Sequence, residues 1–93
     1  MITETPAHPA AGHAEDLVTT LRGKIDELDA AIAALVAERA TVSRRIQQAR
    51  MDAGGTRVEL GRERVIRAGY RNALGPDGAQ LADSVLQVCR GRR

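Results

Sequence analysis

The stretch Leu21–Arg50, LRGKIDELDAAIAALVAERATVSRRIQQAR, decides the fold. Its apolar residues recur at Leu21, Ile25, Leu28, Ile32, Leu35, Val42, Ile46 and Ala49, in alternating steps of three and four that keep one face of an α-helix. The residue due after Leu35 is Arg39, and Arg50 follows eleven positions later. At about 100° per residue, eleven residues make three turns with little net rotation, so both guanidiniums leave the same face. A helix that carries permanent cations where leucine belongs must satisfy them, and anionic groups do so best.

Outward from that stretch, the spacing predicts one long helix from about Glu15 to about Arg50, roughly 50 Å at ~1.5 Å per residue, ended by Gly54-Gly55. A second helix is expected from near Thr56, where Thr56 and Glu59 match a capping box. Its stripe reads Val58, Val65, Ile66, Gly69, Tyr70 and Ala73, with Arg62 again at an intervening stripe position. The turn Leu74-Gly75-Pro76-Asp77-Gly78 starts a third helix, which carries Leu81, Ala82, Val85, Leu86, Val88 and Cys89 and frays into Arg90-Gly91-Arg92-Arg93. No segment alternates with period two, so the expected class is all-α without strands. Residues 1–14, with Pro6, Pro9 and Gly12, show no apolar period and read as a disordered tail before a single domain at 15–93.

A core of this size with one aromatic, Tyr70, is marginal alone. The lone Cys89 cannot form an intrachain disulfide. Two short helices cannot cover the seam of a ~50 Å helix, so a two-fold partner copy is expected. The N-terminus has no basic start followed by an apolar run, and no stretch approaches the ~20 apolar residues of a membrane span, so a cytoplasmic protein is expected.

Net charge is only +2, yet residues 1–30 carry two bases and six acids while residues 31–93 carry twelve bases and six acids. Thirteen of the fourteen bases are arginine, the residue that grips carboxylate or phosphate with a two-pronged fork. A GC-rich genome would also raise the arginine share, but it does not place arginines on apolar faces. Arg22 lies near the edge of the stripe, 28 residues from Arg50 and therefore about 42 Å away along the helix. It can join such a site only from a second, antiparallel copy. Arg62, with Glu59 and Glu63, could supply another wall, although Glu59 could equally serve as a cap and Arg62–Glu63 as a solvated pair. Arg44 and Arg45 fall partly off the stripe and read as a wet face. His8 and His13 lack acidic or cysteine companions, so no metal site is expected. No Ser/His/Asp or Cys/His set is expected in the folded part, so nucleophilic catalysis lacks its parts.

These residues resemble the all-α chorismate mutases, and within them the short intracellular actinobacterial type. The resemblance spans roughly residues 21–92. It rests on Leu21-Arg22 with Ile25-Asp26-Glu27-Leu28-Asp29, Leu35-Val36-Ala37-Glu38-Arg39, Ala49-Arg50-Met51, Gly54-Gly55-Thr56-Arg57, Arg62-Glu63, Leu74-Gly75-Pro76-Asp77-Gly78 and Arg90-Gly91-Arg92 in that order and spacing. It implies a three-helix protomer in an intertwined homodimer, converting chorismate to prephenate without cofactor or metal. By the same resemblance Arg22 of the partner subunit and Arg39 clamp the substrate carboxylates, and Arg50 meets the ether oxygen. Arg62 and Glu63 form the second-helix pair, with Glu63 near the substrate hydroxyl, and Glu59 falls where many relatives carry an acid. Leu86 and Arg90 take the positions of a serine and a glutamine in enterobacterial relatives, Arg90 at a helix end where fraying would leave it unheld. A complex with DAHP synthase through the C-terminal region is also implied. Isochorismate pyruvate-lyase, on the same fold, is the competing enzyme reading, although the Gly-Gly-Thr-Arg loop and the tail favour the mutase. A basic helical dimer binding nucleic acid is the competing reading of another class. The modest net charge, the lack of stacking aromatics and the inward arginines oppose it.

Overall fold

The computed structural model describes residues 7–55 and 59–91. Three helices follow one another: α1 (Ala7–Asp52), α2 (Leu60–Leu74) and α3 (Pro76–Arg90). No strand occurs among the described residues, so the all-α class holds.

Helix α1 begins at Ala7, not near Glu15 as the pattern suggested. Residues 7–14 contain four alanines, the best helix formers, and need no apolar stripe to continue a helix that is already nucleated downstream. Pro9 is the third residue of α1, inside the first turn, where backbone N–H groups have no helical partner to lose. At the other end Gly54 takes φ +84°, and the N–H of Gly55 returns to the Arg50 carbonyl at 2.7 Å. That left-handed turn closes the helix two residues after Arg50.

The chain divides into two compact units, residues 1–33 and 34–93. In the first unit the apolar stripe of α1, Leu17, Leu21, Ile25, Leu28 and Ile32, is exposed along its described length. The second unit holds the core, built on Ala40, Val85 and Cys89 with Val36 and Tyr70 packed against them. Here α1 turns two different faces. Val36, Ala40, Ser43 and Gln47 are buried or half-buried, whereas Leu35, Val42 and Ile46 stay exposed. The two sets are centred roughly 110° apart around the helix. The leucine stripe is therefore not the face that packs on the chain's own core.

Helices α2 and α3 approach most tightly next to the turn that joins them. Gly75 supplies the turn with φ +87°, its N–H bonding the Arg71 carbonyl at 2.8 Å, and Pro76 opens α3. One turn on, Gly78 is buried, and a Cβ there would stand 2.2 Å from the Tyr70 carbonyl oxygen. Only glycine permits that spacing. It seats Ala82, Val85, Leu86 and Cys89 of α3 in the core, leaving Leu81 and Val88 on the open side.

Helix α2 starts at Leu60 with Glu59 at the N-cap and no side-chain capping bond. The expected start near Thr56 and the Thr56 half of the capping box lie outside the described residues. Helix α3 runs intact to Arg90, where Gly91 at φ +70° lets its N–H bond the carbonyls of Gln87 and Val88. The expected fraying at Arg90 is thus corrected: the last turn of α3 is capped. Arg92 and Arg93 are outside the described residues. Among the described residues no helix is long and apolar enough to cross a membrane.

Candidate active site

Arg39 and Arg50 fall on the border between the two faces of α1, about 40–60° from the centre of the exposed Leu35, Val42 and Ile46 face, and are half-buried. Both line a cavity of about 390 Å³, a volume usual for small-ligand sites (~300–1,000 Å³). Val42, Ser43, Ile46 and Gln47 continue its α1 wall. The other walls come from Glu59, Arg62, Glu63 and Ile66 on or just before α2, and from Leu86, Cys89 and Arg90 on α3.

Seven of the eight expected site residues are therefore brought together within residues 34–93. The eighth, Arg22, is exposed on α1 and is not among the lining residues. Sequence reasoning passed over Ser43, Gln47 and Cys89. Gln47 precedes Arg50 by three, so helical spacing alone could have placed it on the arginine face. Cys89 read simply as packing, and nothing in the sequence pairs it with Arg39.

The lining charges are four guanidiniums and two carboxylates, a formal balance of +2. They are not equivalent. Arg50 donates through Nη1 to Glu59 Oε2, so the Glu59 side chain turns to the cavity rather than capping α2. Arg90 grips Glu63 with both prongs, Nε to Oε2 at 3.1 Å and Nη2 to Oε1. That pair is about four-fifths buried and joins α2 to α3. The idea of a solvated Arg62–Glu63 pair is replaced, because Glu63 belongs to Arg90. Arg62 has no ion pair or hydrogen bond among the described residues, and Arg39 has one contact, Nη1 donating to Cys89 Sγ at 3.1 Å. Arg39 and Arg62 therefore carry the surplus positive charge. Arg44 donates to Thr41 on an exposed face outside the cavity, as its off-stripe position suggested. No group of three or more potential metal ligands occurs among the described residues.

Among the described residues, three helices wall a small cavity with four arginines, which makes this a small all-α protein with a cationic cavity. Known proteins narrow the class. Residues 21–89 match the family model for chorismate mutase type II. The chain is 44% identical to an intracellular chorismate mutase of Mycolicibacterium smegmatis over 89 residues, covering 96% of this chain and 86% of the relative. It is 51% identical to the intracellular chorismate mutase of Mycobacterium tuberculosis (H37Rv) over 75 residues, covering 81% of this chain and 70% of the relative. Its fold matches a chain in the complex of DAHP synthase and chorismate mutase from Corynebacterium glutamicum with bound transition state analog. That match has TM-score 0.80 and 32% identity, over 86% of this chain and 96% of the other. The chain belongs to the chorismate mutase type II family.

Proposed function

We propose that this cavity converts chorismate to prephenate by electrostatic means alone. The observation that carries the reading is its charge pattern: three helical elements bring four arginines to one small cavity with a surplus of two positive charges, which matches a dicarboxylate. Chorismate carries two carboxylates, one hydroxyl and an ether bridge, and rearranges without an external group.

In this reading Arg39 holds one carboxylate, because its thiol contact leaves its charge uncompensated within the described residues. Clamping a carboxylate favours the compact conformer in which the reacting carbons approach, so it contributes orientation along with affinity. Arg50 faces the ether oxygen, where negative charge grows as the C–O bond breaks. A donor held in advance at that point stabilises the transition state more than the ground state. Glu59 fixes one edge of the Arg50 guanidinium. Arg62 supplies further positive potential at the wall. Glu63, held by Arg90, accepts from the substrate hydroxyl, and Leu86 gives the pocket an apolar side.

The second carboxylate falls to Arg22 of the partner subunit in a homodimer. Support comes from the exposed stripe Leu17, Leu21, Ile25, Leu28, Ile32 and Leu35 on α1 and from a buried hydrophobic core that, among the described residues, has only five members. Val42 and Ile46 of the same exposed stripe line the cavity, so a partner laid along the stripe would also close the site. A complex with DAHP synthase through the C-terminal region is proposed on the likeness to the Corynebacterium glutamicum complex.

The test is to incubate the purified protein with chorismate and, separately, with isochorismate. Loss of chorismate with formation of prephenate is expected. Release of pyruvate from isochorismate with chorismate untouched would replace this reading with the lyase.

A further inference from the structure

We propose that Cys89 is a positioning residue for Arg39: its buried thiol aims the guanidinium into the cavity without neutralising it. The proposal builds on the carboxylate-clamp role given to Arg39 above.

Three arginines of the cavity have side-chain partners among the described residues, and the partners differ in kind. Arg50 meets the Glu59 carboxylate and Arg90 meets the Glu63 carboxylate, so each of those cations is matched by an anion. Arg39 meets sulfur instead, at 3.1 Å, on a cysteine that is 1% exposed and packed in the core beside Ala40 and Val85. A thiol sulfur is a weak, uncharged acceptor. It can fix the direction of one N–H while leaving the whole positive charge for a bound anion.

The surroundings make that contact directional. Cys89 belongs to the capped last turn of α3, next to Arg90, which is itself locked to Glu63. The sulfur therefore sits on a part of the fold held from two sides, whereas the long Arg39 side chain has several rotatable bonds. Without the sulfur, Arg39 must pay for its ordering when the anion binds, and affinity falls. An acceptor in a clamp that acts equally on ground and transition states should change KM more than kcat.

The experiment compares Cys89→Ala, Cys89→Ser, Arg39→Ala and the double variant Arg39→Ala/Cys89→Ala, with folding checked by circular dichroism and denaturant midpoint. Cys89→Ala should raise KM for chorismate about five-fold with kcat nearly constant, the worth of one modest hydrogen bond. Cys89→Ser, which returns an acceptor of similar reach, should recover most of that loss. In the Arg39→Ala background the cysteine change should add almost nothing to KM. A parallel readout needs no turnover: the Arg39 Nε–Hε NMR signal, assigned by its absence in Arg39→Ala, should shift or broaden in Cys89→Ala and return in Cys89→Ser. The proposal is overturned if Cys89→Ala keeps both KM and that signal, if serine is as impaired as alanine, or if the two changes simply multiply. Should the wild type fail to convert chorismate, the functional reading fails, and the NMR comparison still decides whether the thiol orients Arg39.

Discussion

Arg39→Ala is the cleanest perturbation of the cavity, because of what the arginine does not hold. Removing Arg50 would strip Glu59 of its partner, and removing Arg90 would leave the largely buried Glu63 carboxylate uncompensated. Removing Arg39 leaves behind only a thiol, which tolerates an apolar setting. The change should therefore lower the thermal midpoint little while taking the cavity from a surplus of two positive charges to one. Hydrogen bonds to a charged group contribute about 1.5–3 kcal/mol each. Losing one carboxylate grip of that size corresponds to a roughly 10- to 150-fold fall in kcat/KM, most of it in KM. Initial-rate measurements over a wide chorismate range, beside a thermal melt of the same sample, give both numbers. A KM within two-fold of wild type in a folded protein would refute the clamp assignment.

Other perturbations should behave differently. Arg50→Ala should cost kcat about 10²–10³-fold, the usual effect of removing a donor aimed at developing charge, with a much smaller change in KM; single-turnover rates on chorismate measure it. Arg90→Ala should destabilise by about 1–3 kcal/mol because Glu63 loses both prongs of its partner, visible as a lower denaturant midpoint. Gly78→Ala should cost about 1–3 kcal/mol, toward the upper end, since the new Cβ meets the backbone of Tyr70 and Arg71 rather than a yielding side chain. A melt unchanged by Gly78→Ala would mean that α2 and α3 approach less closely than described. Adding the organism's DAHP synthase should raise kcat/KM, and truncation after Gly91, which spares Arg90 and the cap of α3, should weaken that response.

Much of this arrangement was legible in the sequence because it follows from spacing. The three-and-four steps of α1, the Gly75-Pro76 turn and the eleven-residue interval between Arg39 and Arg50 each fix a direction through backbone geometry. Other features depend on what a residue meets across the fold. The sequence cannot show that Glu63 turns to Arg90 rather than to Arg62, because that choice depends on how α3 lies against α2. Nor can it show that Arg39 finds sulfur fifty residues away. The start of α1 at Ala7 escaped a search for apolar periodicity because alanine-rich propensity carries that turn. The stripe itself was read correctly as a pattern, yet it is not the face the chain buries against its own core. Leu35, Val42 and Ile46 stay open while their neighbours one residue on pack inward. An arginine on the boundary between those faces reaches the cavity from the edge of the exposed stripe, where the proposed partner copy would complete the wall.

That last point carries the account, and a mixing experiment tests it most directly. At chorismate well below KM, Arg22→Ala should lose about 10- to 150-fold, as for the other carboxylate clamp, and Arg50→Ala about 10²–10³-fold. After subunit exchange in an equal mixture, about half of the dimers contain one chain of each kind, and in those dimers both lesions fall into a single site. Activity should recover to about a quarter of the wild-type value at the same total protein. No recovery after exchange has been confirmed by mass spectrometry would contradict a site completed by Arg22 of the partner subunit.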